Sequence, residues 1–153
     1  MKHLVRWISL YQKEYPNVRF HFYSGEGSQI RERLEAGLDD LGIIIGMKNR
    51  NRYESLVLPP KDRWGVLLHH SHPRAKQPEI TVQQLRTLPI YLSKQVWEAY
   101  PDGAGTDNVR GTYNLLSNAV YLAEENLGAV VCLEGLAKEI PGVVWIPFQP
   151  VQE

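Results

Sequence analysis

The chain has 153 residues, enough for one domain or two small lobes with a substantial core. Its 17 basic and 17 acidic side chains balance, so it carries no overall electrostatic footprint for nucleic acid. A single cysteine excludes an intramolecular disulfide framework, and no apolar run has the length of a signal peptide core or a transmembrane helix. We therefore expect a globular cytoplasmic protein with no membrane partner.

The chain opens with the pattern of a helix followed by a strand. Apolar side chains recur at helical spacing over residues 4–15, and Pro16 ends that helix. Over residues 18–23 apolar and polar side chains alternate, which predicts a half-buried strand.

A loop, a second helix and a second strand are predicted next. Residues 24–27 are a loop of small residues, where backbone N–H groups can approach a ligand closely. Ser28 is the expected N-cap of a helix that ends near Gly37. The apolar run at residues 41–45 is typical of a parallel strand covered on both faces. Such a unit places its loop where open α/β sheets bind small molecules, which favours ligand sensing over catalysis.

The rest of the chain predicts alternating short strands and helices. The predicted strands are residues 56–58, 64–69, 90–92, 129–133 and 143–146. The predicted helices are residues 81–85, capped by Thr81, then 95–100 and the longest, 113–127, with a loop at 101–108. Strands separated by helices imply mostly parallel sheets.

Catalytic and metal-binding interpretations are weak. His69, His70 and His72 alternate across a strand end, so at most two could converge on a metal, and no further ligand stands at suitable spacing. Ser28 lies in no nucleophile-elbow motif, and the glycines before it lack the third glycine of a dinucleotide fingerprint. Cys132 sits in an apolar run and is expected to be a buried, inert thiol. We therefore expect no enzyme activity, no metal and no cofactor.

Short motifs recur in a characteristic order along nearly the whole chain. They are Tyr15-Pro16-Asn17-Val18, Gly25, Leu34, Gly37, Asp40, Trp64-Gly65-Val66-Leu67, His72-Pro73-Arg74-Ala75, Ile80-Thr81 through Leu85, Pro89-Ile90 and Gly128-Ala129-Val130-Val131. No motif is specific alone, but their order and spacing together are distinctive. In both respects the chain resembles the effector-binding domain, also called the LysR substrate-binding domain, of LysR-type bacterial transcriptional regulators.

The resemblance implies an α/β, two-lobed type 2 periplasmic-binding-protein-like fold, with mostly parallel sheets and flanking helices. Residues 1–63 would form a partial subdomain I without the family's first strand, and residues 64–146 would form subdomain II. Residues 147–153 would begin the return to subdomain I. The chain would thus be a sensor truncated at both ends, contacting DNA only through an N-terminal helix-turn-helix that it lacks.

The resemblance also implies a small-molecule effector in a cleft between the lobes. The candidate residues are Ser24, Gly25, Gly27, Ser28, Ser93, Lys94, Gln95, Thr112 and Asn114. The family often has Ser or Thr at the position of Gly27, so this chain departs there. Ser93 and Thr112 could be helix caps only, or caps that also contact the ligand. Helix N-termini and Lys94 favour a small anion or carboxylate, with Glu26 expected to point into solvent.

Self-association is implied as well. The family forms antiparallel dimers, and homodimers or tetramers are expected here through residues 4–15 and 18–23. Trp7, Tyr11 and Tyr15 would be the aromatic anchors, unless they pack onto the lobe's own sheet. Two other functions stay open: a solute-binding protein of a transporter, disfavoured by the missing signal peptide, and an enzyme on the same fold.

Overall fold

The computed structural model describes residues 2–45, 52–58, 62–99, 107–137 and 140–150. The α-helices are α1 Lys2–Glu14, α2 Gly27–Glu35, α3 Val82–Leu85, α4 Lys94–Ala99 and α5 Leu116–Glu124. The strands are β1 Trp64–His69, β2 Ile80–Thr81, β3 Ile90–Ser93, β4 Val109–Tyr113, β5 Ala129–Leu133 and β6 Val143–Gln149. Short 3-10 helices span Pro73–Lys76 and Glu134–Leu136.

The six strands form a mixed sheet in the order β2-β6-β1-β5-β3-β4. The pairings β2–β6, β3–β4 and β3–β5 are parallel, whereas β1 is antiparallel to both β5 and β6. The predicted α/β fold with a mostly parallel sheet is confirmed, with β1 as its antiparallel centre. Since Gly65 pairs with Pro147 and His69 with Val143, the start of β1 lies beside the end of β6.

Both faces of the sheet are covered. Val66 and Leu68 of β1 face a core cluster that includes Leu85 of α3. Leu67, between them, faces a second cluster that includes Ala119 and Ala123 of α5. This explains why β1 and β5 are apolar without alternation.

The predicted long helix at residues 113–127 is wrong at its start. Helix α5 begins at Leu116, and Tyr113 is the last residue of β4, a strand the sequence interpretation missed. The burial along β4 alternates, and the Tyr113 hydroxyl donates to the Val131 carbonyl at 2.6 Å. Pairing with β3 therefore outweighs the helical periodicity of the apolar residues that follow.

Helix α2 begins two residues earlier than predicted. Glu26, not Ser28, is the N-cap residue, and the Gln29 side chain accepts a hydrogen bond from the Glu26 N–H at 2.9 Å. Ser28 already lies inside the helix, because this Gln29 contact satisfies the exposed N–H group. The predicted glycine end is confirmed: Gly37 has φ +65°, just past the C-cap.

Residues 18–23, 41–45 and 56–58 are not strands, contrary to prediction, and Ile45 lies in a turn. Their apolar side chains are largely exposed, for example Phe22 at 68% and Leu41 at 88%. A strand needs a neighbour that accepts and donates backbone hydrogen bonds. Within the described residues, the sheet contains no strand that pairs with these segments.

Among the described helices, none combines the length and the apolar character that crossing a bilayer requires.

Candidate functional site

Polar groups meet where the parallel strands β3 and β4 end. Ser93 is the last residue of β3 and pairs with Tyr113, the last of β4. Lys94 follows Ser93 at the start of α4, and Asn114 follows Tyr113 in an exposed bend. The structure therefore brings Ser93, Lys94 and Asn114 to one edge of the sheet, as predicted, at the carboxyl ends of neighbouring strands.

The two candidate caps at this edge differ. The Ser93 Oγ accepts a hydrogen bond from the Val96 N–H at 3.3 Å, so Ser93 does cap α4. Thr112 lies in β4 opposite Leu92, is exposed, and caps no helix, so that prediction is wrong. Thr112 caps no helix because strand β4 continues to Tyr113, where the helix was predicted to begin. Gln95 lies in α4, and its side chain is outside the described part of the chain.

The opposite wall is the loop before α2. Ser24 and Ser28 are exposed, and Gly27 is the first residue of the helix. A Cβ added at Gly25 would lie 2.8 Å from the Gln29 Oε1 and 2.9 Å from the Tyr23 ring, so these two side chains would have to shift to make room for it. Gly25 thus lets the loop run close against Tyr23 and Gln29.

A charge pair joins the two walls. The Lys94 Nζ lies 3.4 Å from the Glu26 Oε2, so the loop before α2 faces the start of α4 as predicted. The expectation that Glu26 points into solvent is wrong, because its side chain is 24% exposed and turned toward Lys94. The nearby cation attracts the carboxylate, and sequence alone does not reveal a pairing between residues so far apart in the chain.

A second set of contacts holds the α2 loop in place. Arg33 donates two hydrogen bonds to Asp39, each 2.8 Å long, and its guanidinium lies 4.1 Å from the centre of the Tyr23 ring. The hydrogen bonds from Arg33 lower the pKa of Asp39 below its usual range. Arg33 therefore links the segment after α2 to the residue that packs on Gly25, and the sequence analysis missed this link.

The three histidines at and after the end of β1 make hydrogen bonds to nearby groups. His69 Nδ1 lies 2.6 Å from the Ser71 Oγ, His70 Nδ1 lies 2.9 Å from the Gly142 carbonyl, and His72 Nδ1 accepts from the Arg74 N–H. Within the described residues, no three His, Cys, Asp or Glu side chains are placed to hold a metal ion.

Cys132 is buried in β5, as expected of an inert thiol. Burial raises the pKa of this thiol to about 12.

Two aromatic residues of α1, and Tyr15 directly after the helix, are partly exposed. Trp7 is 39% exposed, Tyr11 48% and Tyr15 46%. The Tyr11 and Tyr15 rings lie 4.7 Å apart, and Tyr11 also meets the edge of Phe20 at 6.2 Å. None of the three is buried in the sheet's core clusters.

The architecture defines a ligand-binding α/β domain with facing polar walls, and comparison with known proteins identifies its family. The profile described as the LysR substrate binding domain matches residues 1–152, so the chain belongs to that family. It is 32% identical over 120 residues to the HTH-type transcriptional regulator CysB of Haemophilus influenzae, covering 77% of this chain and 36% of CysB. The chain thus spans about a third of that relative.

Solved structures agree on the fold. HinK, a LysR family transcriptional regulator from Pseudomonas aeruginosa, superposes with a TM-score of 0.74 at 17% identity, covering 93% of this chain and 52% of HinK. The effector-binding domain of QuiR, solved in complex with shikimate, gives 0.73 at 17% identity, covering 98% of this chain and 76% of that one. The family match decides between the regulator domain and the transporter protein in favour of the regulator domain.

Proposed function

We propose that this chain is the ligand-sensing part of a LysR-type transcriptional regulator and that it binds a small carboxylate between the α2 loop and the start of α4. The observation that carries the proposal is the Glu26–Lys94 contact, which brings the two polar walls within reach of a single small molecule. The proposed contacts are the candidate residues named from the sequence: Ser24, Gly25, Gly27, Ser28, Ser93, Lys94, Gln95, Thr112 and Asn114.

The anion preference rests on Lys94. The Lys94 side chain is 54% exposed, and the residue directly follows Ser93, whose hydroxyl can still donate a hydrogen bond after accepting one from the Val96 N–H. A carboxylate accepts hydrogen bonds from both an ammonium and a hydroxyl group, and such charge-assisted bonds are among the stronger ones. Shikimate, the ligand of the similar QuiR domain, is itself a carboxylate at neutral pH.

We infer two lobes, residues 1–63 and 64–146, with 147–153 beginning the return. The register supports this division: β1 carries the chain into the sheet, and β6 brings it back beside the start of β1. A ligand that touches both walls favours the arrangement in which they are close, and it shifts the population only if its affinity differs between the two arrangements.

Calorimetry tests the proposal. Small carboxylates and aromatic acids, beginning with shikimate and benzoate, are titrated into the protein carrying Lys94→Gln or Ser93→Ala and into the unchanged protein. We expect Lys94→Gln to weaken binding most. Lys76→Gln is the matched control for Lys94→Gln, since Lys76 is exposed at the end of the 3-10 helix Pro73–Lys76 and lies outside the proposed contacts. The proposed site would be refuted if no compound of a broad panel bound, or if Lys94→Gln left the affinity of the compounds that bind unchanged.

We also propose that α1 mediates homodimers, with tetramers as the larger assembly. Trp7 and Tyr11 on α1 and Tyr15 directly after it provide exposed aromatic area of the kind enriched at interface centres. Sedimentation of a Trp7→Glu, Tyr11→Glu variant against the unchanged protein tests this. We expect the unchanged protein to self-associate and the variant to be a folded monomer. If both proteins are folded monomers, the interface is ruled out.

DNA binding is proposed only for a longer protein with an N-terminal helix-turn-helix, as in the HTH-type relatives. A cytoplasmic location follows from that role. Regulation rather than catalysis is proposed as the activity, in keeping with relatives that are transcriptional regulators.

A further inference from the structure

Lys94 already has an anionic partner before any ligand arrives. Its Nζ lies 3.4 Å from the Glu26 Oε2, and the Glu26 side chain is the less exposed of the two, at 24% against 54%. Glu26 is held in place as the N-cap residue of α2, where Gln29 accepts its N–H. The carboxylate therefore stands at the position that a ligand carboxylate would take.

We propose that Glu26 is a built-in competitor for this position, so that an effector binds by displacing the Glu26 carboxylate from Lys94. The inference rests on the proposed function of the cleft and adds the determinant of its selectivity. Because an incoming carboxylate replaces the one that leaves, Lys94 stays paired and Glu26 regains water. A neutral ligand would leave Lys94 without a partner, or would have to bind beside the intact pair.

The geometry suits displacement. The contact is a single one at 3.4 Å, longer than a typical charge-assisted hydrogen bond of about 2.7–2.9 Å. Ion pairs with this exposure are weakly held in water. Arg33, which is bidentate to Asp39 at 2.8 Å and lies 4.1 Å from the centre of the Tyr23 ring, supports the segment before α2 through contacts that do not involve Glu26.

The effect of removing the competitor follows from the strength of exposed pairs. Glu26→Gln keeps the size of the side chain and removes its charge. Since such pairs contribute at most modestly to free energy, we expect the affinity for an anion to rise about two- to fivefold. The affinity for a neutral analogue should stay unchanged.

The experiment uses the 153-residue chain with Glu26→Gln, Lys94→Gln and the double substitution. Benzoate, its neutral analogue benzamide and inorganic sulfate are titrated at low salt, and binding is followed by the NMR shifts of the Ser93 and Lys94 amides. Glu32→Gln is the matched control, because Glu32 is exposed on the same helix and loses the same charge. The predicted gain for anions appears in Glu26→Gln, is absent in Glu32→Gln, and vanishes when Lys94→Gln is added.

Some results of this experiment would overturn the inference. They are an equal gain in Glu26→Gln and Glu32→Gln, weaker anion binding in Glu26→Gln, and no anion-dependent shift at Ser93 or Lys94 in Glu26→Gln. A ligand that binds the cleft by calorimetry while Glu26→Gln changes nothing refutes the competition and leaves the proposed function standing. Conversely, sulfate binding that tightens in Glu26→Gln, with no organic ligand found, upholds the competition and counts against the sensor.

A ligand-free measurement adds an independent check. Urea unfolding of the two single variants and the double variant gives the coupling between Glu26 and Lys94 in a double-mutant cycle. We expect a favourable coupling that diminishes at high salt. A coupling of zero at low salt overturns the inference whatever the ligand experiments show.

Discussion

Replacing Leu67 with alanine tests the described core directly. Leu67 is completely buried in β1, between the strands β5 and β6, and faces Ala119 and Ala123 of α5. The alanine side chains opposite it are too short to move into the space that the substitution opens. The site should therefore collapse little, which is the condition under which a core cavity is most costly.

The magnitude follows from the atoms removed. Leu67→Ala deletes three buried carbon atoms, worth about 2–3 kcal/mol at about 0.8 kcal/mol per buried methylene. The cavity term raises the expected loss in the free energy of unfolding to about 3–4 kcal/mol. For a domain of this size that loss lowers the melting temperature by roughly 6–16 °C. Urea unfolding followed by circular dichroism measures the first quantity, and calorimetry the second.

Leu41→Ala is the matched control. The same atoms are removed, but Leu41 is 88% exposed, so its free energy of unfolding should change by no more than about 0.5 kcal/mol. The comparison also decides between the structure and the sequence interpretation, which placed residues 41–45 in a buried strand. Equal losses for the two variants would show that the described position of Leu41 is wrong.

Three further outcomes follow from single contacts. Tyr113→Phe removes the 2.6 Å hydrogen bond to the Val131 carbonyl and should cost about 1 kcal/mol in urea unfolding, whereas an unchanged midpoint would contradict that bond. Because burial raises the Cys132 pKa to about 12, iodoacetamide at pH 8 should label this thiol only in unfolded protein, and rapid native labelling would refute its burial. Since Arg33 lowers the pKa of folded Asp39, its contribution to stability is present above the unfolded value of 3.8 and is lost as pH falls through the folded pKa. Asp39→Asn should therefore flatten the acid side of the stability profile, and an unaltered acid limb would argue against the pair.

The elements that the sequence predicted well depend on local patterns or on burial at both faces. Strand β1 is buried from Gly65 to Leu68 and β5 is buried along its whole length, as expected of apolar runs that are covered on both faces. Helix α3 was predicted from Thr81, and the structure has a capping box between Thr81 and Gln84 there. In both cases the residues that determine the element are close together in the sequence.

The elements that were missed depend on partners elsewhere in the chain. Strand β4 contains Arg110 and Gly111, which weaken its apolar pattern, and it is recognisable mainly by its pairing with β3. Residues 18–23 have a clear alternating pattern, but among the described residues no strand pairs with them, so they do not form a strand. Alternation shows which face could be buried, and only the fold determines whether a neighbouring strand is available.

The same distinction applies to the candidate site. Local reasoning assigned the anion preference to the N-termini of α2 and α4, but α4 has six residues and the Val96 N–H is taken by Ser93. At α2, the first N–H group of the cap is taken by Gln29, and the Glu26 carboxylate stands there already. An effector carboxylate would therefore compete with a charge of the same sign at α2 and gain its main attraction from Lys94. Recognition in this cleft thus rests on which carboxylate Lys94 pairs with, and that choice depends on two side chains brought together only by the fold.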